Sequence, residues 1–312
     1  MEYAPFPTPS QLTRLADSLS SGSALYYLRR FEGGLSCTID QIEQLETSGQ
    51  RRKLILRRYG PWADGGNLTR EVAALSIAAT GNVPVPELVW IDTDDIFSER
   101  AIVTTDMNGE AQTKPLGIGT WPEQLAIAAA QIHAVPLSKE GAKALGDLES
   151  FVQRCTSEME PPVEFRTHPL GTRLWERRQE LFESIGTGES MFVHADYWPG
   201  NTLWRDGHLV AVIDWEDAGF GDPMVDVADC TNDLRFIEMD DLADRFVDKY
   251  AAESSNDMKS LPLWNIIAQT HPFPDIAKWL PSFHAMGWPD MTVDELRARH
   301  MNQIERALAE TN

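Results

Sequence analysis

The segment from Val193 to Asp214 constrains this chain more than any other. It fixes a turn, two strands and four polar side chains within one short span. It reads VHADYWPGNTLWRDGHLVAVID, so that His194, Asp196 and Asn201 form an H-x-D-x4-N pattern and Asp214 follows Asn201 by thirteen residues. Thr202–Trp204 is a short apolar strand, and Leu209–Ile213 is the returning one. Between them, Asp206-Gly207 suits a two-residue turn whose central residues both take positive φ. A tight hairpin returns Asp214 to Asn201, with Asp196 beside both. That convergence supplies a carboxylate to steer a hydroxyl, and an amide plus a second carboxylate as hard oxygen ligands for magnesium. The set suits phosphoryl transfer. The same letters also allow a plain polar turn before a buried strand, with His194 and Asp196 as ordinary hydrogen-bonding loop residues.

HADYWPGN followed by VIDWEDAGFGDPMVDVAD resembles the catalytic segment of the aminoglycoside phosphotransferase family. These are small-molecule kinases that include kinases of choline, homoserine and several antibiotics, so antibiotic resistance is among the roles implied. The resemblance implies an α+β, two-lobed, protein-kinase-like fold. An N-terminal lobe, residues 1–105, would carry an antiparallel sheet plus a helix. A mainly helical lobe, residues 106–312, would carry the catalytic hairpin and the acceptor site. It also implies ATP and magnesium as cofactors. Asp196 would be the catalytic carboxylate beside the acceptor hydroxyl, and Asn201 and Asp214 would hold magnesium against the phosphates. His194 would brace the loop, and so would Asp226, one turn into a helix expected over Met224–Leu234 behind an Asp222-Pro223 start. Glu216 and Asp217 would help bind a cationic acceptor, or form a solvated loop.

In the first hundred residues, Leu25–Phe31, Cys37–Ile42 and Lys53–Arg58 read as strands. Gly33-Gly34 between the first two is either a hairpin turn or, with Ser36, a loop whose backbone N–H groups approach phosphates. Lys53, Ile55 and Arg57 share one face by period-two alternation. A kinase-like site needs one cation there, paired with a helix carboxylate. The resemblance favours Arg57, and Lys53 remains the alternative. Asn67 reads as the N-cap of a helix Leu68–Thr80 ended by Gly81, with Glu71 above its apolar stripe. Glu71 is the carboxylate that the strand cation would meet. Val83-Pro84-Val85-Pro86 is held extended and feeds a strand Glu87–Asp92. Ala101–Thr105 then leads to Asp106. By resemblance, backbone groups around Thr104–Asp106 form the hinge that meets adenine.

Beyond the hinge, Trp121–Ala134 and Arg173–Ser184 read as helices, and His133 reads as a satisfied core or helix-end histidine. The segment Asp240 to Asn312 reads as helical, with proline breaks at His271–Pro274 and Pro281. Its acids Asp240, Asp241, Asp244, Glu253 and Asp257 read first as a solvated face. Ala195 stands where the family commonly has Gly, and Arg57 stands where protein kinases have Lys.

Composition bounds the partners. A formal charge of −21 over 312 residues argues against nucleic acid and against an anionic membrane. It suits a cationic small molecule, and equally a solvated acidic surface. Cys37, Cys155 and Cys230 show neither a disulfide framework nor zinc spacing, which points to a reducing, cytoplasmic setting. The N-terminus has no apolar signal core, and no run approaches membrane-spanning length. Oligomeric state is open. The expected function is transfer of the γ-phosphoryl group of ATP to a small-molecule hydroxyl. An aminoglycoside or other amino-containing alcohol stands first, ahead of macrolide, choline-like and homoserine-like acceptors. Two other classes compete. One is a pseudokinase that binds nucleotide without turnover. The other is a metal hydrolase built on His194, Asp196, His208 and Asp214, for which His208 lies at the wrong end of the hairpin.

Overall fold

The computed structural model describes residues 4–31, 37–60, 65–113, 117, 119–146, 161–237 and 239–311. Gly33, Gly34, Ser36 and Cys155 lie outside them, as does the side chain of Asn67.

The N-terminal half is a sheet with two helices. Helix α1 (Pro9–Leu19) starts at a capping box, in which the Thr8 hydroxyl accepts from the Gln11 N–H and the Gln11 side chain accepts from the Thr8 N–H. Strands β1 (Ala24–Phe31), β2 (Cys37–Leu45) and β3 (Arg51–Tyr59) form an antiparallel meander. Helix α2 (Gly65–Ala78) follows, then β4 (Leu88–Ile91) and β5 (Arg100–Thr105). The sheet order is β1-β2-β3-β5-β4, antiparallel throughout. Its outer face buries Leu15 of α1 with Ile42, Leu54, Leu56 and Val103. Burying side chains of this size stabilises the sheet by about 1.5–3 kcal/mol each.

Two details of α2 differ from expectation. The helix opens at Gly65, so Asn67 lies inside its first turn and is not the cap. It ends at Ala78, and Gly81 follows in a tight turn. Gly81 does not need a left-handed φ. A Cβ there would come 2.7 Å from Val135 Cγ2, so the glycine is required by packing against the chain after the next helix.

The rest is mainly helical. After β6 (Glu110–Ala111) come α3 (Trp121–His133), α4 (Lys139–Leu145), α5 (Val163–Thr167) and α6 (Gly171–Ser184). Strand β7 (Met191–Val193) pairs with β10 (Gly219–Gly221), and between them lies the hairpin of β8 (Thr202–Arg205) and β9 (His208–Val212). Helices α7 (Met224–Phe236), α8 (Asp240–Glu253), α9 (Leu261–Ala268), α10 (Leu280–Ala285) and α11 (Val293–Glu310) complete the chain. Pro281 does not break this segment. It occupies the first turn of α10, where a missing N–H costs nothing.

β6 was not foreseen. The chain leaving β5 pairs along β8, making a three-stranded sheet of β6, β8 and β9. Gly109 allows this approach, because a Cβ there would come 2.7 Å from Val210 and 2.9 Å from Leu203. The linker is thereby fastened to the hairpin that carries the site. No helix among the described residues is long and apolar enough to cross a membrane.

Candidate active site

The hairpin closes as its turn chemistry requires. Arg205 pairs with His208 across Asp206 (φ 52°) and Gly207 (φ 78°), both left-handed as a tight two-residue turn demands. At the open end Thr202 pairs with Val212, and the Ile213 N–H donates to the Asn201 carbonyl at 2.9 Å. Asn201 and Asp214 are thus held at adjacent strand ends. His208 is exposed at the far tip, away from Asp196. The four residues of the hydrolase alternative therefore do not gather in one place.

Asn201 orients Asp196. Its side-chain N–H₂ donates to the Asp196 carbonyl at 2.9 Å and to the Asp196 carboxylate at 2.7 Å. With both amide hydrogens committed to one neighbour, the Asn201 carbonyl oxygen is left as a pure acceptor. Burial first, then the charges of Asp214 and Asp217, push the Asp196 carboxyl well above the usual carboxylate range.

The loop is braced from behind. Asp226 on α7 is fully buried and accepts the His194 N–H at 2.8 Å and the Ala195 N–H at 2.7 Å. Its Oδ2 also lies 3.0 Å from His133 Nε2, and His133 Nδ1 lies 2.7 Å from the Tyr250 hydroxyl. With Nε2 donating to the Asp226 carboxylate, His133 accepts a hydrogen bond from the Tyr250 hydroxyl at Nδ1. The His194 ring is buried against Trp215 and donates through Nε2 to the Ile213 carbonyl at 2.9 Å. Burial depresses its pKa, so it stays neutral in this role. Ala195 takes φ +61° so that consecutive N–H groups can reach one carboxylate, which is why glycine is favoured there.

The N-terminal sheet contributes the cation. Arg57 on β3 donates to Glu71 of α2 at 2.5 Å and to Asp214 at 2.6 Å, and its Nε lies 3.4 Å from the Cys37 sulfur. Tyr59 donates to the other Glu71 oxygen. Burial pushes the Glu71 carboxyl up, and Arg57 pulls it back. Of the two strand cations considered, Arg57 is the one brought to Glu71 and Asp214. Lys53 is exposed two residues nearer the start of β3 than Ile55.

The remaining described candidates have contacts of their own. Thr104 is buried in the β3-β5-β4 ladder. The N–H groups of Thr105 and Asp106 already donate to the Glu87 and Lys53 carbonyls at 3.0 and 3.2 Å. The Asp106 carboxylate accepts from the Gln41 side chain at 2.5 Å and from the Asn108 N–H at 2.7 Å. Asp106 therefore fixes the turn that leads into β6. Glu216 and Asp217 lie on a 3-10 turn, Trp215–Asp217, that packs on α2. Arg70 of α2 donates to the Glu216 carbonyl at 3.2 Å and stands 3.8 Å from the Asp217 carboxylate. The turn that carries both acids meets the N-terminal lobe.

Two acids that sequence reasoning passed over face the site from α7. Asp229 and Asp233 stand one turn apart, and Asp229 feels the charges of Asp196 and Asp226. Their only sequence signal is the repeat Asp226, Asp229, Asp233, which puts three acids on one stripe of one helix.

Comparison with known proteins agrees with this fold. Residues 42–264 match the model of the phosphotransferase enzyme family. Among solved structures, the aminoglycoside phosphotransferase APH(4)-Ia aligns with a TM-score of 0.62 at 17% identity, covering 96% of this chain and 99% of that one. The macrolide 2'-phosphotransferase MphH from Brachybacterium faecium aligns at 0.56 and 18%, covering 97% and 98%. The choline kinase LicA from Streptococcus pneumoniae aligns at 0.59 and 15%, covering 96% and 97%. No curated protein matches by sequence. The fold is the two-lobed one these enzymes share, and the chain belongs to the aminoglycoside phosphotransferase family of small-molecule phosphotransferases.

Proposed function

We propose that the protein transfers the γ-phosphoryl group of ATP, with magnesium, to a hydroxyl of a cationic small molecule. The two lobes would meet at residues 105 and 106. The observation that carries this reading is one contact set. Asp196 is oriented by Asn201, Asn201 is fastened beside Asp214, and Asp214 is bridged by Arg57 to Glu71.

The donors fit a magnesium ion. The side-chain amide oxygen of Asn201 and the Asp214 oxygen not engaged by Arg57 are hard ligands few enough to leave room for phosphates and water. The ion, when bound, neutralises charge on the phosphates during transfer. Asp196 orients the acceptor hydroxyl toward the phosphoryl group and takes its proton late in the step. Arg57, held by Glu71, would exchange its Asp214 contact for the nucleotide's phosphates and offset their charge. Asp226 keeps the catalytic loop from shifting. Thr104 and Asp106 shape the base pocket through backbone position, and Gly33, Gly34 and Ser36 would cover the phosphates. Positioning and fixed charge supply most of the rate in such a site.

APH(4)-Ia is known in a complex with ADP and hygromycin B, which supports a nucleotide and an amino-bearing acceptor here. An aminoglycoside or other amino alcohol remains the first class, with macrolide, choline-like and homoserine-like acceptors next. The test is Mg-ATP binding followed by ADP release against those four acceptor classes. Acceptor-dependent ADP release is expected with one class. Mg-ATP binding with no release across the panel, the behaviour of a pseudokinase, would overturn the proposal.

A further inference from the structure

Behind the catalytic loop, a file of hydrogen bonds runs from Asp226 out to the turn that follows α8. The Asp226 carboxylate accepts from the His194 and Ala195 N–H groups, and its Oδ2 lies 3.0 Å from His133 Nε2. His133 Nδ1 lies 2.7 Å from the Tyr250 hydroxyl, and the Asn256 side-chain N–H₂ donates to that hydroxyl at 2.8 Å. Asp226, His133 and Tyr250 are buried, and Asn256 is half-buried. The His133 and Tyr250 rings meet edge to face, with centroids 5.5 Å apart. The members come from α7, α3, α8 and the turn beyond α8, so tertiary packing and no single helix puts them in line.

The donors in this file all point inward. A hydroxyl has one proton to give. Asn256 donates to the Tyr250 oxygen, which leaves the Tyr250 proton for His133 Nδ1. An imidazole that accepts at Nδ1 carries its proton on Nε2, where it meets the Asp226 carboxylate. Burial pushes the Tyr250 hydroxyl up to about 12, so it stays a donor near neutral pH. The opposite order would face an Nε2 lone pair against a carboxylate oxygen in a buried site, where an unmatched pair of acceptors is costly. We infer that Tyr250 and Asn256 are positioning residues for the catalytic loop. By setting which His133 nitrogen bears the proton, they keep Asp226 fixed as the acceptor for the two N–H groups that precede Asp196. The expected effect on rate rests on the proposed kinase reaction, whereas the proton order and the hold on the loop do not.

Magnetic resonance of the full chain with isotope-labelled histidine should show His133 with a protonated Nε2 and a bare Nδ1. Two variants break the order at different points. Tyr250→Phe keeps the ring and removes the donor. Asn256→Asp makes the outer partner an acceptor, which turns the Tyr250 proton away from His133. Each should speed amide hydrogen exchange at His194 and Ala195 roughly tenfold, with rates in the middle of α3, α7 and α8 unchanged. With an acceptor that releases ADP, each should lower kcat roughly tenfold and leave the KM for Mg-ATP within about twofold. The double variant should be no worse than Tyr250→Phe alone, because both changes remove the same bond. Parent-rate exchange at His194 and Ala195, exchange that speeds throughout the helices, or losses that multiply in the double variant would overturn the inference. So would a parent His133 protonated at Nδ1. Exchange and proton placement as expected, with no ADP release from any acceptor, would instead count against the kinase reading alone.

Discussion

Arg57 and Asp214 are 157 residues apart in the chain, yet their side chains meet at 2.6 Å across the junction of the two lobes. The same guanidinium holds Glu71 at 2.5 Å, so one fork joins strand, helix and the Asp214 carboxylate. Arginine suits this because its planar fork can serve two carboxylates at once, whereas an ammonium is a single point.

Removing that fork should cost both stability and function. Arg57→Met leaves Glu71 buried with Tyr59 as its one remaining donor among the described residues. Breaking a buried pair from one side costs about 3–5 kcal/mol. Denaturant titration should show a loss of that order, and Glu71→Gln in the same background should recover part of it. Full additivity of the two changes would argue against the pairing.

Asp226 is predicted to act through the loop it supports. Asp226→Asn replaces an acceptor of three donors with a group that must itself donate. A stability loss of about 3 kcal/mol and a fall in kcat of roughly 100-fold are expected, the latter from a small displacement of Asp196. Mg-ATP affinity should change little. A variant with full kcat would show that the loop holds its shape unaided.

Ala195 tests the backbone directly. Its φ of +61° costs a non-glycine residue about 1–2 kcal/mol, against roughly 0.5–1 kcal/mol for the greater freedom of an unfolded glycine. Ala195→Gly should therefore gain on the order of 0.5 kcal/mol with activity kept. Ala195→Val should lose stability, since a β-branched residue is least tolerated at this φ. Thermal melts of the pair settle the order.

Asp233 gives a pH signature. Its folded pKa of about 7 lies above the unfolded value near 4, so between those limits the native state holds a proton that the unfolded chain has lost. The group's contribution to stability therefore falls as pH rises from about 4 to about 7. Asp233→Asn should be the more stable protein at pH 8, by on the order of 2–4 kcal/mol, with the difference shrinking toward pH 5. Melting both proteins across that range checks the sign.

The sequence made the catalytic hairpin legible because its information is local. Asp206-Gly207 sets a turn, the turn sets the register, and register alone brings Asn201 to Asp214. Thr8-Pro9 with Gln11 carried an equally local signal for α1 that went unread. Asp229 and Asp233 were hidden for another reason. On a helix each looks like any polar position, and only the packing of α7 decides which stripe faces a cavity. Glu216 and Asp217 follow Asp214 on a 3-10 turn that Arg70 of α2 meets at the Glu216 backbone carbonyl and near the Asp217 carboxylate, a contact that only the packing of α2 on the turn decides. Asn67 misled because the helix opens two residues earlier, at Gly65, which puts it inside the first turn.

The central claim is that Asp196 positions and deprotonates the acceptor while taking no part in holding the nucleotide. It is tested most directly by Asp196→Asn, read in parallel by acceptor-dependent ADP release and by Mg-ATP affinity. The account predicts that kcat falls at least ~100-fold while Mg-ATP affinity stays within about threefold of the parent protein. Transfer at close to the parent rate, or loss of nucleotide binding together with transfer, would contradict it.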